Sequence, residues 1–190
     1  MRNVAIFASG SGSNAEETIK ELRNSSAAQV RVVITNNSSA GVIERAQRLE
    51  TPCEVIGKSG SDAAQIMQIL EKYQVDIILL QGYLRLLPTE VIAKYQGHIL
   101  NQHPALLPKY GGKGMYGHFV HEAVANSGDK QGGFSLHRVT PIYDDGEVVW
   151  QETVDLPENA TPEQIENLVR KLENDKAAGA IRNLIETNKI

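Results

Sequence analysis

Short apolar runs alternate with amphipathic stretches through the first hundred residues, and this alternation restricts the possible folds more than any other feature of the sequence. The strand-like runs cover residues 4–9, 30–35, 53–56, 75–80 and 97–102. Within the run 75–80, residues 77–80 are apolar at consecutive positions, which is typical of a strand covered on both faces of a parallel sheet. Successive strand–helix–strand units are joined by right-handed crossovers. The sequence therefore predicts an α/β fold with a doubly wound, mostly parallel sheet.

The pattern changes after about residue 131. Residues 133–140 and 147–156 indicate two neighbouring antiparallel strands, joined by a loop that contains Asp144-Asp145-Gly146. A long C-terminal helix is predicted to begin at Thr161-Pro162, where a capping hydroxyl precedes a proline at the first helical position. Because no linker or internal repeat interrupts the 190 residues, we predict a single domain over residues 1–190.

Charge and cysteine content disfavour several classes of function. The formal net charge of −4 argues against a general nucleic-acid binder, which normally presents a basic face. Cys53 is the only cysteine, so we expect no intrachain disulfide and no cysteine-based zinc site, and we predict no metal. No apolar run approaches the length of a membrane span, and the N-terminus does not resemble a signal peptide. We therefore expect a cytoplasmic protein with neither nucleic-acid nor membrane partners.

A glycine-rich segment, Gly10-Ser11-Gly12-Ser13-Asn14-Ala15, separates the first strand from the first helix. Backbone N–H groups at such a helix N-terminus favour an anion. The segment also fits the loose dinucleotide fingerprint G-x-G-x-x-A, but the second strand ends in Thr35-Asn36-Asn37 and lacks the acidic residue that would hold a ribose. The pattern favours a single phosphate over a dinucleotide, and a merely structural tight turn is the remaining alternative.

The tetrapeptide Asn101-Gln102-His103-Pro104 lies at the carboxyl end of a strand in the middle of the predicted sheet. Open α/β sheets bind their ligands at this edge. Strand alternation places the side chains of Asn101 and His103 on one side, where an amide can stabilise an oxyanion and an imidazole can move a proton. A polar strand end with a surface histidine is the alternative. Residues 104–117, which are rich in Gly and Pro, indicate a shaped loop beside this edge.

Other polar residues give weaker indications of function. Asp144-Asp145-Gly146 taken alone is a hairpin pattern. It gains interest only if the fold brings a carboxylate to His103, because a carboxylate raises the pKa of a nearby imidazole. His118 and His121 have the i, i+3 spacing of a helix but no evident partners, so we predict a surface position for both. His137 lies inside a predicted strand, where it either supports a site or simply packs.

Together these motifs resemble the glycinamide ribonucleotide formyltransferases, a family of folate-dependent enzymes of purine synthesis. The resemblance covers nearly the whole chain. Its landmarks are FASGSGSN, the stretch from ITNN to ERA, GYLRLLP, NQHPALLPKYGG, GFSLHRVT and YDDGEVVWQ. The Asn-x-His-Pro-x-Leu-Leu-Pro block, followed about forty residues later by Asp-x-Gly, is specific to the folate-dependent formyltransferases. The early Gly-Ser-Asn is typical of the ribonucleotide enzymes among them.

The resemblance implies a Rossmann-like formyltransferase fold and transfer of the formyl group of 10-formyltetrahydrofolate to the glycyl amine of N1-(5-phospho-D-ribosyl)glycinamide. It implies catalysis by Asn101, His103 and Asp144, in which the amide and a protonated imidazole stabilise an oxyanion. It implies binding of the substrate phosphate by Gly12, Ser13 and Asn14, and contacts with the substrate ribose or phosphate by Glu173 and Arg170. It implies folate binding by Leu84, Arg85, Leu86, Leu87 and Asn101. These two small molecules are the only implied partners, and the protein is expected to be a monomer or homodimer.

The sequence differs from the family's pattern in several places. The 110–117 segment is longer than in some relatives, and the segment after Ile56 lacks an arginine that many relatives place beside the folate. Asp145 replaces a common glycine next to the proposed catalytic aspartate, and Asn174 stands where the family usually has histidine. The resemblance is therefore weaker for the folate contacts and for the C-terminal helix.

Three alternative functions are open at this point. A formyltetrahydrofolate hydrolase shares the catalytic trio but is expected to carry an additional N-terminal regulatory domain. A formyltransferase for initiator tRNA is expected to carry a C-terminal nucleic-acid-binding domain and more positive charge. A non-catalytic module that holds NAD in its glycine segment is disfavoured by the absence of an acidic residue after the second strand.

Overall fold

The order of the strands shows how the predicted crossover units assemble. In the computed structural model, which describes residues 1–190, the first five strands are β1 (Arg2–Phe7), β2 (Ala28–Thr35), β3 (Cys53–Val55), β4 (Ile77–Gln81) and β5 (Ile99–His103). They run parallel in the order β3-β2-β1-β4-β5. The chain thus moves outward from β1 in one direction and then, from β4, in the other. This reversal creates a topological switch point between β1 and β4, where open α/β sheets bind ligands.

Two antiparallel strands complete the seven-stranded sheet. They are β6 (Gln131–Arg138), which pairs with β5, and β7 (Val148–Asp155), which pairs with β6. The β5–β6 register places Asn101 opposite His137 and His103 opposite Ser135. The predicted fold class, a mostly parallel sheet with an antiparallel pair at its C-terminal side, is confirmed.

Six helices cover the two faces of the sheet. They are α1 (Ser13–Arg23), α2 (Val42–Arg48), α3 (Ala63–Lys72), α4 (Thr89–Lys94), α5 (His118–Ser127) and α6 (Pro162–Glu186). Successive strand side chains point to opposite faces, so Val4 and Ile6 of β1 pack with α1, α2 and α6, whereas Ala5 and Phe7 pack with α3 and α4. The sequence pattern did not indicate α4, because its six residues are too few for a helical period to emerge.

Helix α6 begins as its sequence predicts. The Thr161 hydroxyl accepts a hydrogen bond from the Gln164 N–H at 3.3 Å, and the Gln164 side chain accepts one from the Thr161 N–H at 2.8 Å. The buried residues of α6 are apolar except for Glu173. No helix of the protein combines the length and apolar character needed to cross a bilayer.

Glu16 is a buried carboxylate that ties α1 to α2. It forms ion pairs with Lys20 at 2.9 Å and Arg48 at 2.7 Å, and a third with Arg45. The hydrogen bond from Lys20 outweighs the effect of burial and, with Arg45, lowers the pKa of Glu16 to about 2. Arg45 also donates to the Ser11 carbonyl at 2.9 Å, so the same cluster holds the glycine-rich segment.

Acid is expected to weaken the fold through Glu16. Because its pKa falls from 4.5 to about 2 on folding, its contribution is complete above pH 4.5 and is lost as the pH falls toward 2. Glu16→Gln should lower the free energy of unfolding near neutral pH by about 2 kcal/mol, a value reduced for the exposure of the basic partners. Urea unfolding at several pH values measures the effect, with the more exposed Glu17→Gln as control. If the free energy of unfolding depended on pH equally in the wild type and in Glu16→Gln, acid unfolding would be due to other groups.

Candidate active site

The carboxyl end of β5 brings Asn101, His103 and Asp144 together around one carboxylate. The Asn101 amide nitrogen lies 3.4 Å from Asp144 Oδ1, and His103 Nδ1 lies 3.7 Å from Asp144 Oδ2. Asn101 and His103 project from the same side of the strand, as alternation predicts. Asp144 reaches them from the β6–β7 connection, where its backbone adopts a φ of 53°. The structure thus places an amide, an imidazole and a carboxylate within reach of one another.

His137 orients the Asn101 amide. Its Nδ1 lies 3.0 Å from the Arg138 carbonyl oxygen, and its Nε2 lies 2.9 Å from Asn101 Nδ2. From these partners we assign the proton to Nδ1, which donates to the carbonyl, so that Nε2 accepts from the amide. Of the two positions left open for His137 by the sequence, supporting the site is the one observed. The Asn101 amide nitrogen thus has two partners, His137 Nε2 and Asp144 Oδ1.

His103 lies between two acceptors. Its Nε2 is 2.7 Å from the Tyr110 carbonyl oxygen, while Nδ1 faces Asp144. A neutral imidazole can donate to only one of these oxygens, whereas an imidazolium can donate to both. Burial nevertheless lowers the pKa of His103 below its usual value, against the opposing effects of Asp144 and the Tyr110 carbonyl. Asp144 thus raises the pKa of His103, as expected for a nearby carboxylate, but the cost of burying the charge is larger.

Asp144 is held as a carboxylate by its surroundings. Burial by itself would raise the pKa of Asp144, but the nearby His137 and His103 and the Gly112 N–H together lower it. The Gly112 N–H donates to Asp144 Oδ2 at 2.9 Å. Residues 110–112 therefore contact both His103 and Asp144, which places the predicted Gly- and Pro-rich loop directly beside the site.

The glycine-rich segment forms an open helix N-terminus. Gly12 is the N-cap of α1 with a φ of 75°, and no side chain caps the helix there. A Cβ at Gly12 would clash with the side chain and backbone of Val42, so only glycine fits. The first backbone bond of the helix runs from the Glu16 N–H to the Gly12 carbonyl at 2.9 Å. The N–H groups of Ser13 and Asn14 therefore have no helical partner, the arrangement that favours a phosphate.

Glu173 and Arg170, which the helical spacing places near one another on α6, occupy different environments. Glu173 is buried and accepts a hydrogen bond from Gln102, and Asn14 is close enough to lower its pKa against the effect of burial. Arg170 is exposed and donates to Asn167 of its own helix. The structure thus brings Glu173 near Asn14 at the start of α1, whereas the hydrogen bond of Arg170 is to its own helix. The roles of both residues toward a substrate stay predictions.

The predicted folate segment follows β4 at the same edge of the sheet. Leu84, Arg85 and Leu86 are exposed, whereas Leu87 is buried in the core beneath α3 and α4. The Leu84 N–H donates to the hydroxyl of Ser9, the residue that precedes the glycine-rich segment, at 3.1 Å. Any contact of Leu87 with a ligand is therefore limited to its backbone, as the resemblance implied for this segment.

A cavity lies beside the predicted folate segment and not over Asn101, His103 and Asp144. It has a volume of about 510 Å³, and its lining includes Leu84 and Arg85. The lining also includes polar residues that follow β1, β2 and β3, namely Ser9, Asn36, Asn37, Ser38, Ser39 and Lys58. Asn101, His103 and Asp144 do not line it.

The predicted surface position of the two α5 histidines is correct for His118 and wrong for His121. His118 is exposed and pairs with Glu122 at 3.0 Å. His121 is only 4% exposed, because α5 packs against α6 with the face that also carries Val120 and Val124. The i, i+3 spacing identified the helix but not which of its faces would be covered. Burial lowers the pKa of His121.

Comparison with known proteins places this arrangement in a family. A family model described as formyl transferase matches residues 2–181. The chain belongs to the formyl transferase family. The phosphoribosylglycinamide formyltransferase of Bacillus subtilis (strain 168) is 31% identical over 195 residues, which cover 99% of this chain and 97% of that protein. The chloroplastic phosphoribosylglycinamide formyltransferase of Arabidopsis thaliana is 37% identical over 171 residues, which cover 86% of this chain but 59% of that protein.

A solved structure supports the same relationship. The crystal structure of phosphoribosylglycinamide formyltransferase from Brucella melitensis superposes with a TM-score of 0.87 at 30% sequence identity, and the match covers 97% of this chain and 95% of that one. Sequence reasoning did not single out Gln102, the polar residue between Asn101 and His103 in β5. Strand alternation alone could have shown that its side chain faces away from Asn101 and His103.

Proposed function

We propose that this chain transfers the formyl group of 10-formyltetrahydrofolate to the glycyl amine of N1-(5-phospho-D-ribosyl)glycinamide. The observation that carries the proposal is the meeting of Asn101, His103 and Asp144 at the carboxyl end of β5 in a member of the formyl transferase family. An amide donor, an imidazole and a supporting carboxylate are the groups that attack on a formyl carbon requires. The names of the relatives supply the acceptor, and the resemblance supplies the formyl donor.

The reaction proceeds by direct attack. The amine nitrogen forms a bond to the formyl carbon, and the carbonyl electrons move to oxygen to give a tetrahedral oxyanion. The Asn101 N–H that faces Asp144 turns to donate to this oxyanion, and His103 donates as imidazolium. The bond from the carbon to the folate nitrogen then breaks, while the proton lost by the attacking amine passes to that nitrogen. Tetrahydrofolate and the formylated ribonucleotide are the products.

The loop at residues 110–112 regulates access to His103. Because the Tyr110 carbonyl accepts from Nε2 at 2.7 Å, a formyl oxygen that reaches this nitrogen must displace it. Gly111 and Gly112 follow Tyr110 and give the backbone the freedom to move. The negative charge that develops on the oxyanion then favours the imidazolium form, which burial disfavours before reaction.

The phosphate of the acceptor binds at the start of α1, where the N–H groups of Ser13 and Asn14 have no helical partner. Asn14→Ala is expected to raise the KM for the ribonucleotide about tenfold, because the amide side chain adds a charge-assisted hydrogen bond. The KM for 10-formyltetrahydrofolate should change little. Steady-state kinetics with each substrate varied in turn measures the difference. Equal increases in both KM values would argue against the phosphate assignment.

Purified protein incubated with 10-formyltetrahydrofolate and the ribonucleotide tests the function, with release of tetrahydrofolate followed by absorbance. We expect release only when both substrates are present. Release at the same rate without the ribonucleotide would indicate a hydrolase instead, and no release under either condition would reject the proposal. Calorimetric titration with NAD tests the non-catalytic alternative, which predicts that the protein binds NAD.

The location and assembly expected from the sequence are part of the same proposal. The protein is proposed to act in the cytoplasm as a monomer or homodimer, with small molecules and not nucleic acids as its ligands. Light scattering after size-exclusion chromatography distinguishes the two assemblies.

A further inference from the structure

A row of buried, hydrogen-bonded polar side chains lies on the face of the sheet opposite to Asn101 and His103. The Gln81 amide nitrogen donates to the Thr18 hydroxyl at 3.0 Å and to Gln102 Oε1 at 2.9 Å. The Gln102 amide nitrogen donates in turn to Glu173 Oε1 at 2.9 Å. None of the four residues is more than 9% exposed. This row of polar side chains therefore links α1, β4, β5 and α6 inside an otherwise apolar layer.

The partners fix the direction of the Gln102 amide. Its oxygen faces the Gln81 amide nitrogen, so its own nitrogen must face Glu173. Reversing the Gln102 amide would place its oxygen against the Glu173 carboxylate and its nitrogen against the Gln81 amide nitrogen. A buried carboxylate needs donors to offset its lost hydration, and Gln102 supplies one at a fixed position. Burial raises the pKa of Glu173, while Gln102 and Asn14 act to lower it.

Glu173 lies between the two parts of the proposed acceptor site. On one side it approaches Asn14, at the proposed phosphate-binding turn, where Asn14 Oδ1 is buried without a hydrogen-bond partner. On the other side it contacts Gln102, which lies directly between Asn101 and His103 in β5. An acceptor that extends from the phosphate turn to the catalytic residues has its sugar between them. The Glu173 carboxylate and Asn14 Oδ1 are both acceptors, which suits the hydroxyl groups of a ribose.

We propose that Gln102, oriented by Gln81, is a positioning residue that holds the Glu173 carboxylate for the ribose hydroxyl groups of the acceptor. This role rests on the proposed function. Gln102 affects the ribonucleotide and not the formyl donor. The reason is that Gln102 and its polar partners face α1 and α6, whereas Asn101 and His103 point to the other face of β5. The amide thus contributes to selectivity for a ribose over a deoxyribose.

Gln102→Met, which keeps the length of the side chain and removes the amide, tests the proposal. The KM for the ribonucleotide should rise about tenfold, which corresponds to the loss of one hydrogen bond to a charged group. This rise in KM should be larger than the fall in kcat. The KM for 10-formyltetrahydrofolate should stay constant. The preference for the ribonucleotide over its 2′-deoxy analogue, expressed as the ratio of kcat/KM values, should fall toward one. A merely structural role would lower the melting temperature without changing this ratio.

Gln81→Met is the second variant, because it removes the group that orients Gln102 and leaves the contact with Glu173 in place. We expect a smaller change in the same direction, and this variant replaces Gln102→Met if that protein does not fold. An unchanged preference for the ribonucleotide in the folded variants would overturn the proposal. Absence of acceptor turnover in the wild type would instead reject the proposed function itself, so the two failures are distinguishable.

A measurement independent of turnover examines the contact itself. Carbon-13 NMR of protein labelled at glutamate carboxyl groups follows the titration of Glu173, assigned by its loss in Glu173→Gln. In Gln102→Met the titration should move to higher pH, since a donor to the carboxylate has been removed. An unmoved titration would show that Gln102 does not hold this carboxylate and would overturn the proposal.

Discussion

Replacing His103 by alanine is expected to lower kcat/KM for formyl transfer by about a thousandfold, the usual combined effect of removing a proton-transferring group and an oxyanion donor. The remaining Asn101 amide would still bind the formyl oxygen, so some activity should persist. His118→Ala is the matched control, because His118 is exposed and pairs only with Glu122 of its own helix. Steady-state kinetics on both variants measures the effect.

Thermal melting must accompany the His103→Ala kinetics, because His103 is only 3% exposed and its removal leaves a cavity. The variant should remain folded, with a lower melting temperature. Activity within tenfold of the wild type in a folded His103→Ala protein would remove this imidazole from the mechanism.

Replacing Asp144 by asparagine is expected to lower kcat/KM about a hundredfold and to change its pH dependence. Asp144 raises the pKa of His103 against the lowering effect of burial. Without the negative charge, the pKa of His103 falls further, and a smaller fraction is imidazolium at any given pH. The limb on which kcat/KM falls with rising pH, where His103 loses its proton, should therefore move to lower pH. A pH profile of kcat/KM for both proteins measures the shift.

The neighbouring carboxylate provides the control for Asp144. Asp145→Asn removes the same charge from the same loop, but Asp145 is exposed and forms no hydrogen bond or ion pair with the trio. Its profile should match that of the wild type. If Asp144→Asn and Asp145→Asn shifted the profile equally, the effect would come from the net charge of the loop and not from a contact with His103.

Much of the fold follows from local patterns in the sequence. The consecutive apolar residues within 75–80 predicted the buried strand β4, and the Thr161-Pro162 pair predicted where α6 begins, because burial and capping depend on neighbouring residues. The strand order β3-β2-β1-β4-β5 depends on contacts between distant segments. Neither the order nor the short helix α4 could be derived from local periodicity.

The site was predictable to the extent that it depends on one strand. Alternation alone placed Asn101 and His103 on one side of β5. The approach of Asp144 depends on the pairing of β5 with β6 and on a connection that turns back, so only the family resemblance indicated it. His121 was assigned to the surface because its spacing gives a helix face but not the packing of α5 on α6. The contact between Gln102 and Glu173 likewise depends on how α6 packs against the sheet, which local spacing does not give.

The most direct test follows the formyl carbon itself. The protein is incubated with 10-formyltetrahydrofolate labelled with carbon-13 at the formyl group and with N1-(5-phospho-D-ribosyl)glycinamide, and the products are identified by NMR and mass spectrometry. We predict that the label appears in the amide of the ribonucleotide, with one tetrahydrofolate released for each label transferred. Label recovered as free formate, or left on the folate, would contradict the transfer of a formyl group to this acceptor.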